Sequence, residues 1–119
     1  MSTNQLNKVT NLDYLTDLSK GNTAFINEMI GIFLIENPEE ISWLEKGISL
    51  SDFELIKMAA HKMRSTIPFV GLDRHIEAEV AEIETLAASG KNIKKIKILF
   101  SKVKDFCQKA RQELSPDLT

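Results

Sequence analysis

"SDFELIKMAAHKMRSTIPFVGLD", Ser51 to Asp73, is the stretch on which the fold turns. It opens with a helix-start pattern, in which Ser51 can cap and Glu54, three residues on, completes a capping box. It closes on Gly71, which suits a helix end, and Asp73 can cap whatever follows. The spacing predicts one long helix from Asp52 to about Val70. With Leu55 at zero and ~100° per residue, Ile56, Ala59, Ala60, Met63, Thr66, Ile67 and Val70 fall between roughly 0° and 140°. That is a core stripe. His61 falls at about 240°, and Lys57, Arg64, Ser65 and Pro68 lie between roughly 180° and 280°, on the outer face. Met58 and Phe69 border that face at about 300–320°, where they could form an apolar docking rim.

Helical punctuation continues on both sides. Upstream, Leu12 to Leu18 is a short amphipathic piece that stops at "SKGN", where Gly21 can supply a left-handed cap. Phe25, Ile26, Met29, Ile30 and Phe33 then recur at three- and four-residue spacing and predict a helix from about Thr23 to Glu36. "NPEE" reads as a restart: Asn37 caps, Pro38 takes the first helical position and Glu40 completes a box-like pattern. The short helix that follows presents Ile41, Trp43, Leu44 and Ile48. Downstream, Ile76, Val80, Ile83, Leu86 and Ala87 predict a helix ending at "SG", and Asn92 caps a last one reaching about Leu114. Short links make sequential helices antiparallel neighbours. The expected fold is therefore all-α: an antiparallel up-down four-helix bundle with short additional N-terminal helices. It forms a single domain over residues 1–119, with 1–11 and 115–119 as loose tails.

Composition removes several classes of function. The 15 Lys plus Arg against 17 Asp plus Glu leave a net charge of −2, which gives no general attraction to nucleic acid or anionic membrane. The longest apolar run, Met29 to Ile35, is interrupted by Gly31 and is far short of the ~20 residues of a membrane span. The polar start "MSTNQLNKVTN" lacks the apolar core of a signal peptide, and the single Cys107 forbids an intrachain disulfide, so a cytoplasmic setting is expected.

An exposed histidine on a helix is commonly only a surface residue. A neutral imidazole is also a nucleophile and a reversible carrier near neutral pH. Here Lys62 and Arg64 stand one and three residues after His61. Arg64, one turn on, could reach phosphoryl oxygens by charge-assisted hydrogen bonds.

At these residues the sequence resembles the histidine-containing phosphotransfer (HPt) domains. Their signature runs roughly Ala-His, an apolar residue at +2, Lys or Arg at +3, Gly at +4 and Gly at +10. In "AHKMRSTIPFVGL", His61, Met63, Arg64 and Gly71 match, and Thr66 stands where a small residue is usual. The order of helices in "FLIENPEEISWLEKGISLSDFELIKMAAHKM" extends the resemblance. Two positions depart: Ser65 replaces the +4 glycine, and Pro68 at +7 should kink the helix near Arg64. The resemblance implies a phosphoryl carrier in a multistep two-component phosphorelay. His61 would be the phosphoacceptor, Arg64 would steady phosphoryl charge, and Lys62 would support it. Partners would dock on Lys57, Met58, Ser65, Pro68 and Phe69. They would be receiver domains of response regulators and a hybrid histidine kinase, engaged by a monomer. The chain would need no cofactor and no ATP site, since magnesium belongs to the receiver. The alternative is a helical adaptor that docks receiver or kinase domains without carrying phosphate.

The remaining signals have plain readings. His75 is expected on the surface, Cys107 as a packed thiol, and Trp43 as core or as a lid over the bundle end. "KNIKKIKILFSKVK" is an ordinary solvated helix with Ile93, Ile96, Leu99, Phe100, Val103 and Phe106 on one side. Glu77, Glu79, Glu82 and Glu84 read as a solvated face, with Glu79 and Glu82 as the candidates to meet cations of the histidine helix.

Overall fold

Among the described residues five α-helices and one 3-10 turn follow one another: α1 Asp13–Ser19, α2 Thr23–Leu50, α3 Phe53–Thr66, the 3-10 segment Ile67–Val70, α4 Asp73–Ser89 and α5 Ile93–Leu114. The computed structural model describes residues 8–115, and among these there is no strand. The chain is all-α. Each long helix packs on the next, and α5 also packs on α2. None of the described helices is long and apolar enough to cross a membrane.

The expected break at "NPEE" does not occur. Residues 23–50 form one helix with Pro38 inside it. Proline inside a helix costs about 3 kcal/mol, so something must outweigh it. Phe33, Asn37, Glu40, Ile41, Leu44, Gly47 and Ile48 are all buried, at one continuous three-to-four-residue spacing. A break at Asn37 would throw half of that stripe out of register. The residues read as a cap have other partners. The Asn37 amide donates to Cys107 Sγ at 3.4 Å and its oxygen accepts from Arg111, while Glu40 is buried against Thr66. Pro38 itself is exposed to solvent.

The helix start at Ser51 moves by one residue. Ser51 is left-handed at φ 51°, and its N–H donates to Ile48 while the Asp52 N–H donates to Gly47, which closes α2. Asp52 is the cap instead, its Oδ1 accepting from the Leu55 N–H at 3.1 Å. The closing pair of bonds recurs at Lys20–Gly21, Gly71–Leu72 and Gly90–Lys91. Asp73 begins α4 without capping it, and Asn92 sits at the head of α5 in a left-handed conformation with no side-chain cap bond.

Pro68 acts as a change of helix type. α3 stops at Thr66, and the chain tightens into the 3-10 segment with Pro68 in its first turn, where a missing N–H is tolerated. Gly71 then reverses the chain at φ 77°, and a Cβ there would lie 2.6 Å from the Asn11 carbonyl oxygen. Asn11 donates its N–H to Val70 at 2.8 Å, and Val9 and Thr10 donate theirs to the Glu113 carboxylate. Residues 9–11 are thus strapped down rather than loose, and Val9 is buried. The rest of the expected N-terminal tail, 1–7, and residues 116–119 lie outside the described residues, while Ser115 ends α5.

Glu40 is the one fully buried acid among the described residues, and a single hydroxyl, that of Thr66, serves both its oxygens at 3.1 and 3.3 Å. Burial outweighs the Thr66 hydrogen bond and pushes the carboxyl up to about 7. A raised carboxyl is harder to ionise in the folded than in the unfolded chain. Its contribution to stability is therefore complete below about 4.5 and is lost as pH rises through about 7. Glu40→Gln, which cannot ionise, should gain stability on the wild type between pH 5 and 8 by up to about 3 kcal/mol. Chemical denaturation across that range checks this, and parallel curves for the two proteins would contradict it.

Candidate functional site

α3 places His61 on the outside because its other faces are taken. Ile56, Ala59, Ala60, Met63 and Thr66 are buried, as are Ile67 and Val70 beyond them. Half-buried Leu55 marks the edge of this stripe. The His61 side chain is 76% exposed. Its Nδ1 lies 2.8 Å from Oε2 of Glu84 on α4. A carboxylate only accepts, so Nδ1 carries the proton and the neutral ring presents a bare Nε2 away from the hydrogen bond.

Glu84 is shared. Its other oxygen accepts from Arg64 Nη1 at 3.1 Å, while Arg64 Nε and Nη2 both reach Glu77 Oε2 at 3.0 Å. Burial opposes ionisation of Glu84, but the hydrogen bonds from His61 and Arg64 win and hold its carboxyl below the usual range. Hydrogen bonding to Glu84, then the charge of Glu77, raises the Arg64 guanidinium above its ordinary value.

The acids of "EAEVAEIE" split across the α4 core line of Ile76, Val80, Ile83 and Ala87. Glu77 and Glu84, each one residue after a core position, face α3. Glu79 and Glu82, each one residue before, face α5, pairing with Lys102 at 2.6 Å and Lys95 at 2.5 Å. So the acids that meet the histidine helix are Glu77 and Glu84, not Glu79 and Glu82. Their offset from the core positions is the signal in the sequence. Which side of α4 faces α3 depends on the hand of the packing, and spacing does not carry that.

Of the residues expected at the site, His61, Arg64 and Ser65 come together, and with Glu77 they line a shallow open depression. Lys57 and Met58 are exposed on the preceding turn. Others are drawn elsewhere. The Lys62 ammonium sits 5.0 Å from the Trp43 ring centroid, over α2, so it is half-buried there and does not support the His61 face. The Ser65 hydroxyl donates to the Lys62 carbonyl at 2.7 Å, which leaves it only acceptor lone pairs for a ligand. Phe69 packs against the core instead of forming a free rim. Half-buried Pro68 belongs to a neighbouring depression with Tyr14, Gly71 and Arg74. Thr66 and Gly71 are buried and structural. His75 stacks on Phe106 with centroids 5.0 Å apart, and burial pushes the Cys107 thiol up to about 11, so neither joins the site.

Comparisons with protein-family models, with curated proteins and with solved structures find no significant match to this chain.

Imidazole nitrogen NMR reads the geometry directly. In the neutral ring, His61 should carry its proton on Nδ1, and Glu84→Ala should abolish that preference. A wild-type ring protonated on Nε2 would contradict the assignment.

Proposed function

We propose that this chain is a phosphoryl carrier of the HPt type, working in a multistep two-component phosphorelay. One observation carries the reading: His61 stands exposed with Nδ1 tied to a carboxylate, which in the neutral ring leaves Nε2 as the bare nitrogen. Such a nitrogen is a nucleophile aimed at solvent. The Nε2 lone pair attacks the phosphorus of an aspartyl phosphate on a receiver domain. The P–N bond forms, the acyl P–O bond breaks, and its electron pair returns to the receiver's carboxylate. The phosphorylated ring is then cationic, with its proton still on Nδ1, and the Glu84 carboxylate faces that charge. Onward transfer reverses these steps on a second receiver. Magnesium and the acyl phosphate belong to the receivers, so this chain serves by positioning and charge.

The fold supports the same reading. Sequential packing of α2 to α5, with α5 also on α2 and short links at Ser51–Asp52, Gly71–Leu72 and Gly90–Asn92, fits an antiparallel up-down four-helix bundle. A bundle of this kind displays one face of α3 to a docking domain while its core stays closed. We read the protein as a cytoplasmic monomer whose partners are receiver domains of response regulators and of a hybrid kinase.

Incubation with a phosphorylated receiver should give acid-labile, base-stable label on the wild type and none on His61→Gln. Arg64→Ala should slow transfer about tenfold, the worth of one charge-assisted hydrogen bond. A wild type that binds receivers but never takes label would instead be the adaptor. Equal labelling of His61→Gln would remove His61 from the reaction.

A further inference from the structure

Arg64 is already engaged where it now stands, with three of its five N–H donors on carboxylates. Its Nε and Nη2 are committed to Glu77 and its Nη1 to Glu84, so one cation faces two carboxylates. Glu84 also holds the His61 Nδ1 proton. Glu77 touches nothing on His61, yet it lines the depression beside His61, Arg64 and Ser65. A phosphoryl group on Nε2 would bring about two negative charges to this cluster. Lys62, turned onto Trp43, does not offset them. Exposed Lys57 stands one turn before His61, but Arg64 can present its Nε and Nη2 donors to the phosphoryl group only by leaving Glu77.

Glu77 has somewhere to go. Arg74 stands three residues before it on α4, exposed, and makes no ion pair among the described residues. Residues three apart on a helix are neighbours. Glu77 therefore has two alternative cations, and Arg64 has two alternative anions once a phosphoryl group is present. That is a two-state element with a local electrostatic trigger.

We propose that Glu77 is a latch on Arg64: it competes with the phosphoryl group for the guanidinium and so keeps phosphorylated His61 poised to give its phosphate away. The inference rests on the carrier reading above. Glu77 is a positioning residue, since it acts through Arg64 and never meets the reacting atoms. Its effect falls on the equilibrium of transfer. Any cation that settles on the phosphohistidine stabilises it, and Glu77 opposes that settling. Without the latch, the carrier would accept phosphate readily and part with it reluctantly.

The test is the equilibrium distribution of phosphate between a receiver and this protein, measured for four proteins: wild type, Glu77→Gln, Arg64→Ala and the double variant. Glu77→Gln should shift the distribution about tenfold toward phosphorylated His61, and Glu77→Asp, which keeps the charge, should fall back toward wild type. In the Arg64→Ala background, Glu77→Gln should shift nothing, because the latch has no bolt to hold. An equal shift in both backgrounds would mean that Glu77 repels the phosphoryl group directly, and the latch would be wrong. No shift in either would also overturn it while leaving the carrier reading intact. Absence of label on the wild type sinks the carrier reading instead, and the latch with it.

Discussion

Ala59 and Ala60 sit side by side on α3 with no exposed surface, and Ile56 and Met63 flank them one turn away on either side. Small residues in the middle of the stripe let α3 lie close between α2 and α4, the two helices against which it packs most extensively. This constraint governs the rest. Once those four side chains are inside, His61 must be outside, and its register against α4 is set. A rotation of α3 by one residue would turn His61 inward by ~100° and bring a charged or polar neighbour into the core. The exposed imidazole is thus a consequence of the packing beneath it.

Two buried polar links hold α2 to its neighbours. Glu40 meets Thr66 at the last α-helical turn of α3, and Asn37 bridges Cys107 and Arg111 on α5. Buried polar groups are costly when unpaired, so such links fix the relative register of helices as well as their contact. They also account for Pro38. The helix continues through the proline because breaking it would strand Asn37 and Glu40 away from partners on two other helices. Below the candidate site, Thr66 marks where α3 gives way to the 3-10 segment, so the Glu40 link is anchored immediately after Arg64 and Ser65 in the chain.

The sequence conveyed the helices and their buried faces with little loss, because three-to-four-residue spacing is a local property. Ile56, Ala59, Ala60, Met63, Thr66, Ile67 and Val70 face inward and Lys57, His61, Arg64 and Ser65 outward, as the wheel requires. It conveyed poorly whatever depended on a distant partner. Asn37, Pro38 and Glu40 carry a good helix-start pattern, and only Arg111, Cys107 and Thr66 override it. Ser51 is a good cap by composition but takes the left-handed turn that usually belongs to glycine. Lys62 adjoins His61 in sequence, yet its Nζ sits over the Trp43 ring. Glu84, the partner of His61, was invisible because choosing among four acids on α4 requires the hand of the packing.

Glu84 faces Nδ1 of His61 at 2.8 Å, and in the proposed carrier this leaves Nε2 as the atom to bond phosphorus. The measurement that reaches it most directly is the imidazole nitrogen and phosphorus NMR spectrum of the protein after exposure to a phosphorylated receiver. Phosphorus should be bonded to Nε2, with Nδ1 still protonated against Glu84. Phosphorus on Nδ1, or on any residue other than His61, would contradict it.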